Sequence, residues 1–158
     1  MPRPPWDTYY MNLAVAVQAR ADCLHRKVGA ILVKSHRVIA TGYNGTPSGM
    51  KNCSDGGCVR CKDRASYGPG SGYDVCICVH AEQNTILSAA RFGNAAEGSY
   101  LYTTMRPCFS CLKESLQAGI ARVYYSDDFQ YTAPELAEQY RELEKHFEKI
   151  HAVPMAGA

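Results

Sequence analysis

The sequence predicts one α/β domain, 1–158, in which a mixed sheet is covered by helices on both faces. Three observations carry that expectation. Two short apolar runs, 28–33 and 37–43, are separated only by Lys34-Ser35-His36, the spacing of an antiparallel hairpin. Further along, the order strand, helix, strand over 99–104, 108–118 and 122–126 makes a βαβ unit, whose strands run parallel. Amphipathic stretches near both ends supply further covering helices.

Taken in order, residues 8–22 place Leu13, Ala14, Val17 and Ala21 at helical spacing, so a first helix is expected there. The hairpin strands follow. From Asn44 to about Asp74 the composition shifts to Gly, Ser, Pro and Cys, which marks a long insertion at about 45–79, just ahead of the next helix. Residues 80–91 carry Ile86, Leu87 and Ala90 at helical spacing, with His80 and Glu82 in the first turn. In the βαβ unit, Tyr100, Tyr102, Tyr124 and Tyr125 alternate, so about half of them face the core. Gly119 closes the intervening helix as a C-terminal cap. A last helix is expected over 134–149, with Leu136, Tyr140, Leu143 and Phe147 on one face, and the tail from His151 is expected to fray.

A chain of 158 residues with 46% hydrophobic and 20% charged residues buries a core without staples. The net charge is only +2, and no Lys/Arg run exceeds Arg26-Lys27, so a nucleic-acid polymer is not an expected partner. No segment approaches a membrane span, and the N-terminus lacks the apolar core of a signal peptide, so a cytoplasmic location is expected. Eight cysteines in a reducing compartment then point to metal more than to disulfides.

The chemistry concentrates in His80-Ala81-Glu82 and, further on, Pro107-Cys108-Phe109-Ser110-Cys111. One imidazole and two thiolates fill three corners of a tetrahedral zinc and leave the fourth open, as a catalytic site requires. Glu82 is the one carboxylate placed to move protons without occupying the metal. This is the H-x-E…P-C-x-x-C arrangement of zinc deaminases. Both ligand-bearing segments open helices, where free N–H groups and the positive dipole end favour thiolates. Five more cysteines lie between Gly45 and His80, and Cys53, Cys58, Cys61 and Cys76 have spacing suited to a second, structural zinc; the alternative is free thiols in a long loop.

With His80-Ala81-Glu82-Gln83-Asn84, Pro107-Cys108-x2-Cys111, Gly42-Tyr43-Asn44-Gly45 and Gln117-Ala118-Gly119-Ile120 in that order, the chain resembles the deoxycytidylate deaminases of the cytidine deaminase-like superfamily over roughly 8–126. The resemblance implies a three-layer α/β/α sandwich with a central mixed sheet. It implies His80, Cys108 and Cys111 as zinc ligands and Glu82 as the proton shuttle in attack of water on C4 of a cytosine ring. It places the backbone at Ala81 on the Watson–Crick edge, Asn44 on the sugar and Arg26 on the 5′-phosphate, a contact a guanidinium makes bidentately. Asn44-Gly45 also reads as a type I′ turn. Family members form homo-oligomers, dimers or hexamers, often with nucleoside triphosphate control and magnesium, and often carry a second zinc in the insertion. Arg106, directly before Pro107, departs from the pattern and is expected to hold a carboxylate, face solvent or help select the ring. Phe129 and Tyr131 are placed to cover a ring or to form a packing lid.

Two rival readings stay open at this level. The same zinc chemistry serves a nucleoside or a free or modified base, such as cytosine, 5-methylcytosine or a guanine-like ring. A zinc-stabilised binding module without catalysis needs the metal but not Glu82.

Overall fold

The computed structural model describes residues 2–68 and 70–155. Its five strands form one sheet in the order β2-β1-β3-β4-β5. Strands β1 (Gly29–Lys34) and β2 (Arg37–Tyr43) pair antiparallel around Ser35 and His36, both with positive φ, as a tight hairpin turn demands. Strand β1 also pairs antiparallel with β3 (Tyr100–Met105), and β3 runs parallel to β4 (Arg122–Asp127) across a helical crossover. The sheet is therefore mixed, and helices cover both faces.

Alternation along the strands divides the core in two. Ile31, Val33, Tyr102 and Tyr124 face helix α1 (Trp6–Gln18) through Tyr10, Met11 and Ala14, and the Tyr102 and Tyr124 rings stack at 4.5 Å. Ala30, Leu32, Leu101 and Val123 face the opposite layer, made by α3 (Ala81–Arg91), α4 (Phe109–Gln117) and α5 (Pro134–Glu144). Glycine permits the close crossings. A Cβ on Gly42 would lie 2.5 Å from the Ala81 carbonyl oxygen, so strand β2 and the first turn of α3 touch backbone to backbone.

Three expectations are corrected. The first helix ends at Gln18 rather than reaching Asp22, whose carboxylate instead accepts hydrogen bonds from Ser54 in the insertion. The last helix stops at Glu144; the chain continues in tight turns that still deliver Phe147 to the core, which is why the periodicity outruns the helix. The described tail does not fray. Lys149–Ala152 forms β5, parallel to β4, and Val153 is buried beneath α1; residues 156–158 lie outside the described part.

The insertion leaves the sheet at a narrow neck. The Gly45 N–H donates to the Val79 carbonyl at 3.2 Å and the Val79 N–H returns to Gly45 at 2.8 Å. Between these residues the chain makes only short helical turns, among them α2 (Val59–Lys62), and its core is sulfur rather than aliphatic carbon. Among the described residues, no helix is long and apolar enough to cross a membrane.

Candidate active site

The first turn of α3 is fixed from three sides. Asn84 Nδ2 donates to the Tyr43 carbonyl at 2.8 Å, Thr85 Oγ1 donates to the Ala81 carbonyl at 2.7 Å, and Gln83 Nε2 donates to Glu114 of α4 at 3.1 Å. His80 occupies the N-cap, where the Gln83 side chain accepts its backbone N–H at 3.0 Å. Cys108 occupies the N-cap of α4. Both helices thus begin at the candidate metal-binding side chains, and their unpaired N–H groups and dipoles converge there.

His80 Nδ1 lies 3.4 Å from the sulfur of Cys108 and 3.4 Å from that of Cys111. A tetrahedral zinc about 2.0–2.1 Å from nitrogen and 2.3 Å from sulfur sets such ligand pairs about 3.6 Å apart. The donor set and spacing therefore fit zinc. Hydrogen bonding from Cys111 and His80 holds the Cys108 thiol down to about 4, while the same Cys108 contact and burial push Cys111 up.

Glu82 is 4% exposed and makes no part of the ligand triad. Burial raises its pKa, the Cys108 charge adds to the rise, and its own backbone N–H, His80 and Thr103 oppose it. Thr103 Oγ1 sits 3.2 Å from Glu82 Oε1 and 3.1 Å from the Met105 carbonyl. A hydroxyl carries one proton. It can donate to an ionised Glu82, or turn to Met105 and accept from a protonated one, so both states are accommodated. The Thr103 partnership was not anticipated from the sequence; the strand alternation that buries it was the available signal.

Asn44 does not sit in a hairpin turn. Its φ is not positive, and its amide clamps the segment after α1: Oδ1 accepts from the Val28 N–H at 2.8 Å and Nδ2 donates to the Arg26 carbonyl at 2.7 Å. Arg26 is exposed and its guanidinium reaches Met105 Sδ at 3.4 Å, which puts it at the strand end leading to Pro107 and Cys108. Arg106 holds two carboxylates, Asp128 at 2.8 Å and Glu144, and its guanidinium packs near the Tyr125 and Tyr140 rings. Tyr131 accepts the Phe109 N–H at 2.8 Å and meets Phe129 edge-on, while Tyr140 donates to the Pro107 carbonyl at 2.7 Å. These aromatics brace the start of α4.

The family described as the cytidine and deoxycytidylate deaminase zinc-binding region matches residues 4–127, which include His80, Glu82, Cys108 and Cys111. The chain belongs to this family. A deoxycytidylate deaminase of Schizosaccharomyces pombe is 43% identical over 127 residues, 80% of this chain; the chain spans 38% of that protein's length. The deoxycytidylate deaminase of Mycobacterium phage D29 is 42% identical over 128 residues, covering 79% of this chain and 97% of the phage protein. Among solved structures, the dCMP deaminase of cyanophage S-TIM5 in complex with dCMP and dUMP superposes with a TM-score of 0.72 at 29% identity, covering 97% of this chain and all of that one. The deaminase family's fold is the mixed-sheet sandwich described above.

The cysteines of the insertion also come together. Cys53, Cys58 and Cys78 are buried against one another, with Cys23, Cys61 and Cys76 packed around them. Two three-thiol groups have all sulfurs within 4.8 Å: Cys23 with Cys53 and Cys61, and Cys53 with Cys58 and Cys78. Cys76 touches Cys58, its sulfur 3.8 Å away. The four cysteines picked out by sequence spacing, Cys53, Cys58, Cys61 and Cys76, are all in the cluster, and the fold adds Cys78 and also Cys23, which lies 30 residues before Cys53.

Proposed function

We propose that this protein is a zinc-dependent hydrolytic deaminase of a cytosine nucleotide, converting dCMP to dUMP with release of ammonia. The observation that carries the reading is a buried carboxylate, Glu82, beside a three-ligand zinc site to which it does not belong. Zinc held by His80, Cys108 and Cys111 would activate a water molecule and polarise its bond to hydrogen. Glu82 accepts the proton that the water loses and delivers it to N3 of the ring as C4 is attacked. It then takes the second proton from the hydroxyl now bonded to C4 and passes it to the exocyclic amine, so that the C4–N bond breaks and ammonia departs as a neutral leaving group. Burial, which makes the carboxyl easier to protonate, suits a group that must hold and release protons within one turnover. The Ala81 backbone at the helix start meets the Watson–Crick edge, Asn44 fixes the sugar side and Arg26 takes the 5′-phosphate. The deoxycytidylate deaminases among its relatives support this choice of substrate.

The same reading includes a cytoplasmic homo-oligomer, magnesium-dependent control by a nucleotide effector and a structural zinc site in the cysteine-rich insertion, supported by the family resemblance and, for the insertion, by the clustered thiols. The test is ammonia release by the zinc-loaded protein on dCMP, deoxycytidine, cytosine, guanine and 5-methylcytosine. Turnover of dCMP far above deoxycytidine is expected. Glu82→Gln should abolish it with zinc retained, and Arg26→Ala should raise KM for dCMP by about 10- to 100-fold, the worth of a charge-assisted contact. Activity that survives Glu82→Gln overturns the mechanism, and preference for a free base overturns the substrate.

A further inference from the structure

We propose that Cys23, Cys53, Cys58, Cys61, Cys76 and Cys78 hold two zinc ions rather than one, with the Cys53 and Cys58 thiolates bridging them. This deepens the reading of the insertion as a metal site. A single tetrahedral zinc takes four thiolates and leaves two of these six unused. Two zincs present eight coordination positions, and six thiolates fill them when two are shared.

The geometry identifies which two are shared. Cys53 belongs to both three-thiol groups, so it lies between Cys23 and Cys61 on one side and Cys58 and Cys78 on the other. Cys58 is the matching partner: its sulfur lies within 4.8 Å of that of Cys53, it is fully buried as Cys53 is, and it touches Cys76. Its 3.8 Å separation from Cys76 equals the edge of a tetrahedron about 2.3 Å from metal to sulfur. Cys76 in turn stands two residues before Cys78 in the chain, and both pack in the same sulfur cluster. The terminal pairs are then Cys23 with Cys61 and Cys76 with Cys78.

Charge does not oppose this count. Six thiolates around two divalent ions carry a net charge of −2, the same as four around one, so the second metal adds ligands without adding charge. None of the six is in a disulfide. Cys53 and Cys58 are fully buried and Cys78 nearly so, the closed surroundings of a structural rather than a catalytic metal. The cluster would tie three separated pieces of chain: the turn after α1, which leads to Arg26; the insertion; and Cys78, two residues before His80.

Native mass spectrometry and elemental analysis of the purified full chain decide the matter. Three zincs per chain are expected, falling to two in His80→Ala, which empties only the catalytic site. Cys23→Ser should lose one further zinc from the cluster, whereas a single site built on the other cysteines would keep its metal. Cadmium-113 substitution of the unmutated protein gives a readout that no variant's folding can obscure: two cluster resonances are expected, with Cys53 and Cys58 protons coupled to both. Two zincs per chain in total, with one cluster resonance, would overturn the two-metal cluster and leave the single structural zinc standing. One zinc per chain would remove both, with the catalytic site judged separately by whether His80→Ala loses it. Iron in place of zinc would also overturn the proposal.

Discussion

Adding one methyl group at Gly42 should move the catalytic turn. The Cβ of Gly42→Ala would lie 2.5 Å from the Ala81 carbonyl oxygen and 2.5 Å from the Thr85 nitrogen, and against the Thr85 hydroxyl as well. Real Cβ atoms essentially never come within 3.0 Å of such atoms, so α3 must retreat from the sheet by roughly 0.5–1 Å, with backbone as the obstacle rather than a flexible side chain. Overpacking of this kind costs about 1–3 kcal/mol. In a domain of this size that lowers Tm by about 2–12 °C. The retreating turn carries His80 and Glu82, and a misplacement near 1 Å costs about 100-fold in rate. Gly45→Ala is the control within the same motif. Its nearest neighbour would be Asp22 Oδ1 at 3.6 Å, its φ is not left-handed, and the substitution should be neutral or stabilise by up to about 1 kcal/mol. Melting curves and deaminase turnover of the two variants make the comparison. Equal Tm and equal activity for both would refute the backbone contact as the device that positions the turn.

Thr103→Val keeps the shape of a fully buried side chain but removes the partner of Glu82, and turnover on dCMP should fall about tenfold, or about 1.4 kcal/mol in barrier, with zinc content unchanged. Asn44→Ala deletes both hydrogen bonds that hold the Arg26–Val28 segment, and thermal melting should show a loss of about 1–3 kcal/mol even without substrate. Arg106→Lys cannot span Asp128 and Glu144 together and should cost about 1–2 kcal/mol in urea unfolding, while KM for the base itself stays unchanged because the guanidinium is occupied by protein.

Much of the site was readable because its chemistry is local. His80 and Glu82 are two residues apart, and the pair Cys108 and Cys111 is one helical turn, so residue type and spacing alone pick out the three side chains that the fold brings together. The sheet was readable where strands are buried on both faces, as in β1, and where a tight turn joins neighbours. Strand β5 was not, since Lys149, His151 and Ala152 are exposed and the segment extends only because the free edge of β4 accepts it. The end of α5 was hidden by Phe147, which obeys the helical period while the backbone has already left the helix. Cys23 illustrates a third kind of obscurity. Its membership in the sulfur cluster depends on the insertion folding back to the end of α1, helped by the Asp22 to Ser54 bonds, and no window of sequence contains that fact.

The hydrogen-bonded pair at Gly45 and Val79 divides the chain into a sheet-bound part and an excursion. Because the neck already holds the ends together, the chain between them can lengthen or shorten at little cost: doubling a flexible loop adds only about 0.6 kcal/mol of closure entropy. The candidate catalytic turn begins directly after Val79, so the neck fixes where it starts against the sheet. Change can therefore accumulate in the excursion, in its size, its metal ligands and the surface it offers, while the reacting groups stay in register, and a scaffold of this kind can be refitted for new regulation without rebuilding its chemistry.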